Sequence, residues 1–210
     1  AKYRFLCKHK SVLGSSYTQK GRSGFRGKGS CLLHRKGEKQ MQPLELYIHI
    51  PFCVKKCAYC DFLSGPAGEK EKEEYVKMLV DEIRNCPDTV QNYRVISIFF
   101  GGGTPSLLTG EQIGRLMDTV REIFTLDEDA EITMEMNPGT VTEEKLRKYR
   151  QAGVNRLSIG LQSVNDEELR LLGRIHTYEE FREAYHLARV NGFSNINVDL
   201  ISAIPGQTVE

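Results

Sequence analysis

The sequence predicts an α/β fold in which parallel strands and helices alternate to form part of a (β/α) barrel. From residue 44 onward, short apolar runs of strand length alternate with amphipathic stretches of helical periodicity, the pattern of β-α units in a parallel sheet. Periodicity alone also allows an open doubly wound sheet. Polar or glycine-rich turns follow the predicted strands, however, as they do where reactive groups meet at the carboxyl ends of barrel strands. No further unit closes the barrel, so we expect it to be truncated after about the fifth strand.

The individual elements follow from local patterns. Residues 69–85 place apolar side chains on one stripe of a helix whose other face is charged. Thr109 and Gln112 form a capping-box pattern before a second helix, and Thr142 precedes the acidic start of a third. Gly153 stands where that third helix is expected to end. The predicted strands are residues 46–50, 95–100, 131–136, 156–161 and 195–201.

Length and composition limit the class of protein. The chain has 210 residues, of which 40% are hydrophobic and 27% charged, enough for one domain with a sizeable core. No run of apolar residues is long enough to span a membrane, and the start of the chain does not have the pattern of a secretory signal. We therefore expect a soluble, cytoplasmic protein, in a compartment that keeps its thiols reduced.

The charge is divided unevenly along the chain. Residues 1–40 contain eleven Lys or Arg and one acid, Glu38, a balance of +10, whereas the remainder carries −9. This basic segment lacks helical or strand periodicity, so we expect it to be a disordered or non-native extension before a domain of residues 41–210 that begins at Met41. It resembles a transit segment in composition, and it could also bind nucleic acid or an acidic surface. Because composition is its only signal, we do not expect nucleic acid to be a partner.

Three cysteines in a C-x3-C-x2-C pattern directly follow the first predicted strand. Cys53, Cys57 and Cys60 could hold three irons of an iron-sulfur cube and leave the fourth iron open for chemistry. A structural zinc site needs a fourth ligand, for which only His49 or the more distant Cys86 are at hand. On spacing alone, a cluster, a zinc or redox-thiol site, and inert cysteines all remain open.

The other strand ends carry unusual residues as well. Residues 101–105, Gly-Gly-Gly-Thr-Pro, let the backbone approach a ligand closely or simply form a tight turn, and they match neither a P-loop nor a dinucleotide motif. Glu135 and Asp199 leave apolar strands, so they either meet ligand hydroxyls or form salt bridges and caps. Arg174 could hold a carboxylate or be solvated, and His176 could carry a proton, bind a ligand or do neither.

Taken together, these motifs resemble the HemN/HemW branch of the radical S-adenosylmethionine (radical SAM) superfamily. Any one of them is weak alone, but the ordered set is specific. The resemblance covers about residues 44–208. In chain order, it rests on His49-Ile50-Pro51-Phe52-Cys53 with Cys57, Tyr59 and Cys60, on Gly101 to Pro105, on Asn137-Pro138-Gly139, on Gly160-Leu161-Gln162-Ser163, and on Leu200 through Thr208.

The resemblance implies a fold, two cofactors and a reaction. It implies a barrel of the radical SAM type and a 4Fe-4S cluster on Cys53, Cys57 and Cys60. The open iron would be chelated by the amino and carboxylate groups of S-adenosyl-L-methionine (SAM). An electron, supplied by a donor such as flavodoxin or ferredoxin, would cleave SAM to a 5′-deoxyadenosyl radical.

The resemblance also implies a SAM site without assigning a catalytic residue. Tyr59 would lie near the adenine, and Glu135 and Asp199 would bind the ribose hydroxyls. The methionine end would meet the glycine-rich turn. Tyr47 would also line the site, and Gln162 and Arg174 would complete its polar shell. The full set of implied SAM-binding residues is Tyr47, Tyr59, Gly102, Gly103, Thr104, Glu135, Gln162, Arg174 and Asp199.

One position separates the two activities of this branch. The dehydrogenases carry another cysteine two residues after the third cluster cysteine, where this chain has Phe62. The ending Cys60-Asp61-Phe62 is similar to that of the HemW-type heme chaperones, which implies heme delivery to an acceptor protein. The alternatives are an oxygen-independent coproporphyrinogen III oxidase, which forms protoporphyrinogen IX by oxidative decarboxylation, and a metal-stabilised nucleic-acid-binding module. The expected partner is accordingly heme or a porphyrinogen, and the scaffold is in principle capable of reductive SAM cleavage.

Overall fold

Six strands form a single sheet, and helices connect most of them. The computed structural model describes residues 41–208 and the backbone of residues 5–9. The strands are β1 (Phe5–His9), β2 (Gln42–Ile50), β3 (Tyr93–Gly102), β4 (Thr125–Met136), β5 (Arg156–Gln162) and β6 (Asn195–Leu200). The helices are α1 (Glu69–Arg84), α2 (Gly110–Ile123), α3 (Glu143–Ala152), α4 (Asp166–Leu171) and α5 (Tyr178–Val190).

The order of the strands confirms the predicted barrel-type arrangement. Strands β2 to β6 are parallel, and each pairs with the next along the chain. A sheet without a reversal of strand order keeps its right-handed crossover helices on one face. Neighbouring helices therefore pack in sequence, α1 against α2 and α2 against α3. The other face of the sheet is free to line a site at the carboxyl ends of the strands.

Side-chain alternation separates the two faces of the sheet. In β2, Leu44, Leu46 and Ile48 are fully or almost fully buried, and burying such a side chain stabilises the fold by about 1.5–3 kcal/mol. Tyr47 and His49 alternate with them and are half-buried on the opposite face. The same alternation at the carboxyl end of β4, where Met134 and Met136 are buried and Glu135 between them is half-buried, gives this part of the sheet an apolar face under the helices and a more polar inner face.

The predicted helix caps are present. The side chains and backbones of Thr109 and Gln112 exchange two hydrogen bonds, which form the capping box of α2. The Thr142 hydroxyl accepts from the backbone amide of Lys145 at the start of α3. Gly153 ends that helix in the left-handed region with φ of 104°, which favours glycine. The short helix α4, by contrast, was not predicted from periodicity.

Strand β1 was not predicted, because its segment has no strand pattern. It pairs antiparallel with β2, with Leu6 opposite Tyr47. The outer strand of a parallel sheet offers unpaired N–H and C=O groups, which an extended segment can satisfy whatever its side-chain pattern. The expectation of disorder was therefore wrong for residues 5–9, and for residues 1–4 and 10–40 it lies outside the described residues.

In the described part of the chain, no helix is both long and apolar enough to cross a membrane.

Candidate functional site

A cavity of about 210 Å³ opens at the carboxyl ends of the parallel strands. It is where the barrel architecture predicts reactive groups to meet. Eleven of the twelve predicted cluster and SAM residues line it, and Tyr47 is the exception. These are Cys53, Cys57, Tyr59, Cys60, Gly102, Gly103, Thr104, Glu135, Gln162, Arg174 and Asp199.

The cysteine loop is held to the barrel by backbone hydrogen bonds. Its start is fixed because the amide of Cys53 donates to the carbonyl of Gly65 at 2.9 Å. The amide of Ala58 donates to the carbonyl of Leu172 at 2.9 Å, which ties the middle of the loop to the end of α4. All three thiols are free and half-buried. The loop therefore presents three sulfur ligands from a backbone that is anchored at both sides.

Polar groups surround two of the three sulfur atoms. The hydroxyl of Thr104 donates to Cys53 Sγ at 3.6 Å, and Ser64 Oγ lies 3.4 Å from the same sulfur. A guanidinium nitrogen of Arg174 donates to Cys57 Sγ at 3.6 Å. Hydrogen-bond donors and a positive charge next to sulfur stabilise cysteine thiolates that bind a metal cluster. This arrangement of donors fits an iron-sulfur site.

The zinc alternative has no suitable fourth ligand at the cavity. Cys86 lies just beyond α1, where its thiol contacts the carbonyl of Glu82 at 3.8 Å. The ring of His49 is 3.1 Å from the Tyr47 hydroxyl, and neither His49 nor Cys86 lines the cavity. Within residues 41–208, no three metal-ligating side chains converge as they would around a single ion. An iron-sulfur cube instead takes each thiolate on a different iron.

The glycine-rich turn is required by the close approach of three segments. Gly102 has φ of +119°, and a Cβ at this position would lie 2.5 Å from two atoms of the His49 ring. A Cβ at Gly103 would lie 2.6 Å from the carbonyl oxygen of Phe52 and 3.0 Å from Cys53 Sγ. All three distances are below van der Waals contact, so only glycine lets the end of β3 pass against the cysteine loop. The turn is therefore part of the wall beside the cysteines.

Glu135 is engaged by the backbone rather than by a cation. The amide of Gly102 donates to Glu135 Oε2 at 3.0 Å. Burial raises the pKa of Glu135, the amide offsets part of this effect, and the negative charge of Asp199 raises the pKa further. Since no ion pair to Glu135 is found within residues 41–208, the salt-bridge alternative is not supported. The carboxyl group is available at the cavity wall.

Asp199 is oriented by two side chains that the sequence reasoning missed. The hydroxyl of Ser158 donates to Asp199 Oδ2 at 3.0 Å, and the side-chain amide of Asn197 donates to Asp199 Oδ1 at 2.8 Å. Asn197 also donates to Ser158 Oγ at 3.0 Å, so the three groups form a closed network. Period-two alternation, which places Asn197 and Asp199 on one face of β6, is the signal that would have indicated Asn197.

Arg174 links the cysteine loop to the end of β5 and is not a solvated side chain. One of its terminal nitrogens donates to the carbonyl of Gly160 at 2.6 Å, and the other reaches the hydroxyl of Tyr59 at 3.4 Å. Burial raises the pKa of Tyr59, and the positive charge of Arg174 opposes this. The tyrosine therefore stays protonated and can donate at the cavity.

Comparison with known proteins identifies the family. The family model of the radical SAM superfamily matches residues 47–210, which include every strand end that lines the cavity. The chain belongs to the radical SAM superfamily. Membership implies a 4Fe-4S cluster and SAM, and the cysteine loop, with its donors on sulfur, fits the first of these.

The relatives of this radical SAM chain include proteins named for heme delivery. It is 48% identical over 172 residues to the heme chaperone HemW of Escherichia coli, a match that covers 81% of this chain and 46% of the relative. It is 39% identical to the heme chaperone HemW of Bacillus subtilis, covering 78% of this chain and 44% of the relative. The chain thus spans less than half the length of these curated relatives.

A solved structure agrees with the fold. Coproporphyrinogen III oxidase (HemN) from Escherichia coli, described as a radical SAM enzyme, superimposes with a TM-score of 0.74 at 35% sequence identity. The match covers 81% of this chain and 39% of that structure. The parallel strands of this chain therefore form part of a radical SAM barrel.

Tyr47 supports the radical SAM cavity from behind its wall. Its ring stacks on Phe99 with centroids 6.1 Å apart, and its hydroxyl lies beside His49. Burial, and to a lesser degree the negative charge of Glu135, raise the pKa of Tyr47. The hydroxyl thus stays protonated next to the histidine ring that packs over Gly102.

His176 does not line the cavity, although it lies next to Ile175, which does. The side chain is 4% exposed, and neither ring nitrogen has a hydrogen-bond partner in the described residues. Burial and then the positive charge of Arg174 lower its pKa to about 4. The backbone of Leu161 offsets part of this shift without reaching hydrogen-bond geometry. His176 is therefore neutral at physiological pH.

Proposed function

We propose that this radical SAM chain serves heme delivery, as part of a HemW-like heme chaperone that passes heme to an acceptor protein. The observation that carries the proposal is Phe62, which lines the cavity and is 65% exposed. It stands where the dehydrogenases that the sequence resembles carry a further cysteine. Relatives at 36–48% identity that are named heme chaperones support the same conclusion.

In this proposal the three cysteines hold the 4Fe-4S cluster and leave one iron for SAM. When bound, the cluster supplies the electron for reductive cleavage of SAM. The residues of the chain hold the loop in place and surround the sulfur atoms with donors from Thr104 and Arg174. A separate donor such as flavodoxin or ferredoxin would provide this electron to the cluster.

The SAM site extends across the strand ends. Gly102, Gly103 and Thr104 lie beside the cysteine loop and would contact the methionine end. Glu135 and Asp199 would accept hydrogen bonds from the ribose hydroxyls. The network that orients Asp199 and the amide that holds Glu135 fix both carboxylates before binding, which lowers the entropy cost of ordering them. Tyr59, Gln162 and Arg174 would complete the site around the adenine and the carboxylate.

The first test is the metal content of the chain after anaerobic reconstitution. We expect about four iron and four acid-labile sulfide ions per chain, and their loss in Cys57→Ala. Cys86→Ala is the matched control, since this cysteine lies outside the cavity, and it should keep the full content. Zinc in place of iron, or a folded chain without metal, would contradict the proposed cluster.

The second test separates heme delivery from porphyrinogen oxidation. The heme chaperone proposal predicts heme binding and transfer to an acceptor without consumption of coproporphyrinogen III. The likeness to HemN at a TM-score of 0.74 makes the oxidase the alternative candidate. Protoporphyrinogen formation above that of Cys57→Ala, coupled to 5′-deoxyadenosine release, would overturn the heme chaperone proposal in favour of this oxidase.

A further inference from the structure

Two loops that follow neighbouring strands are joined behind the cavity. Ser106 lies after β3 and is fully buried, while Asn137 and Thr140 lie after β4 and line the cavity. The hydroxyl oxygens of Ser106 and Thr140 are 2.6 Å apart, and the backbone amide of Asn137 donates to Ser106 Oγ at 3.1 Å. Ser106 itself does not line the cavity, so it joins the two loops from behind the cavity wall.

A lysine from α3 bridges the same two loops. Lys145 Nζ donates to the carbonyl oxygen of Ser106 at 2.9 Å and to that of Thr140 at 3.1 Å. One cation therefore binds a backbone acceptor in each loop. Hydrogen bonds to charged groups are stronger than those between neutral groups, and each loses more when one partner is removed.

The lysine holds this position at an electrostatic cost. Burial and then the positive charge of Lys72 lower the pKa of Lys145. The negative charge of Glu69 offsets part of this shift. No ion pair of Lys145 is found within residues 41–208, so the two carbonyls are the hydrogen-bond acceptors that hold the ammonium group. A half-buried ammonium group that faces another cation needs such acceptors in good geometry to remain in place. The carbonyl positions and the ammonium position therefore determine one another.

One helical turn later, Tyr149 adds a second donor from the same face of α3. Its hydroxyl donates to the carbonyl of Leu108 at 2.6 Å and lies 3.2 Å from that of Ser106. The side chain is fully buried, and burial raises its pKa, so the proton stays on the hydroxyl. We call Ser106, Thr140, Lys145 and Tyr149 the loop clasp.

The loop clasp acts close to the SAM residues. Ser106 is two residues from Thr104, and the amide of Leu107 donates back to the carbonyl of Thr104 at 3.0 Å. The short turn Pro105–Leu107 thus passes the position of Ser106 on to Thr104 and the glycines before it. On the other side, the loop clasp holds the 137–140 loop, in which Asn137 and Thr140 form the adjacent cavity wall.

We infer that Lys145 is a positioning residue for SAM. Its ammonium group sets the separation between the glycine-rich turn and the 137–140 loop. The inference rests on the proposal that the cavity binds SAM. A positioning residue of this kind acts on affinity through the groups it holds, as outer-shell partners of metal ligands do. Lys145→Met removes the donors while keeping the length of the side chain.

The matched control is Lys148→Met. Lys148 is on the same helix, three residues away, and its ammonium group forms surface ion pairs with Glu111 and Glu144. In the cofactor-free chain, hydrogen exchange at the backbone amide of Asn137 should be about tenfold faster in Lys145→Met, because Ser106 loses its charged partner and is held less firmly. The same amide should exchange at the wild-type rate in Lys148→Met.

The reconstituted proteins then report on SAM itself. We expect Lys145→Met to keep wild-type iron content and to bind SAM about tenfold more weakly in equilibrium dialysis. Lys145→Arg should recover part of the affinity, since it restores a cation with several donors. Ser106→Ala, which removes only the buried hydroxyl, should weaken SAM binding as well and provides a second variant if Lys145→Met does not fold.

The outcomes separate this inference from the proposed function. Wild-type exchange and wild-type SAM affinity in folded Lys145→Met and Ser106→Ala would overturn the positioning role while leaving SAM binding intact. Equal loss of affinity in Lys148→Met would also overturn it, since the effect would then be a general response to charge removal from α3. A wild-type protein that binds its cluster but not SAM would refute the proposed SAM site, and this inference with it.

Discussion

The backbone amide of Gly102 donates to the carboxylate of Glu135 across 3.0 Å, which joins the ends of β3 and β4 at the cavity wall. The contact depends on a backbone that bends sharply at Gly102 and on a side chain that points inward from β4. It also places a carboxyl group beside the loop that carries the cysteines.

Gly102→Ala should destabilise the cofactor-free chain by about 1–3 kcal/mol, because alanine is strained at φ of +119° and its Cβ would meet the His49 ring. Urea unfolding measures the free energy. Gly114→Ala is the matched control, since its Cβ has no atom within 4 Å and α2 gains a better helix former. That variant should be more stable by up to about 1 kcal/mol. Equal stability of Gly102→Ala and wild type would contradict the packing argument.

Glu135→Gln should make the cofactor-free chain more stable than wild type at neutral pH. The pKa of Glu135 is raised by burial, so the folded state holds its proton to a higher pH than the unfolded state does. This contribution to stability is therefore lost as pH rises through the folded pKa. The advantage of Glu135→Gln should shrink as pH falls toward the ordinary range of glutamic acid, and urea unfolding over a pH series tests this. An advantage that grows on acidification would show that the sign is wrong.

His176→Leu should flatten the acid side of the stability curve. The pKa of His176 is lowered to about 4, so between this value and about 6.5 the unfolded state binds a proton that the folded state does not. Wild type should lose up to about 3 kcal/mol across that interval as pH falls. The difference in unfolding free energy between variant and wild type isolates this contribution from other titrating groups. A constant difference across the interval would mean that His176 is protonated in the folded chain.

Arg174→Met should weaken retention of the cluster by about tenfold or more. The guanidinium group donates to Cys57 Sγ and also to the carbonyl of Gly160, so it links the cysteine loop to the end of β5. Iron bound after reconstitution and exposure to a competing chelator measures this. Arg170→Met, on the exposed side of α4, is the control and should retain iron like wild type. If both variants release iron at the wild-type rate, the contact with Cys57 has no role in holding the cluster.

The sequence by itself determined the elements whose information is local. Apolar runs placed the five parallel strands, and capping residues such as Thr109 and Thr142 placed helix starts, because these signals depend on side chains a few residues apart. The spacing of Cys53, Cys57 and Cys60 likewise pointed to the cysteine loop. Eleven of the twelve predicted site residues lie around one cavity because parallel strands end on the same side of the sheet.

Only the tertiary structure decided which distant groups meet. Strand β1 exists because the edge of β2 offers backbone partners, a property that no pattern within Phe5–His9 encodes. The pairing of Ser158 with Asp199 and of Lys145 with Ser106 joins residues about 40 positions apart in the sequence. Such contacts depend on strand register and helix packing, which place side chains to within an ångström, whereas periodicity specifies only the face on which each side chain lies.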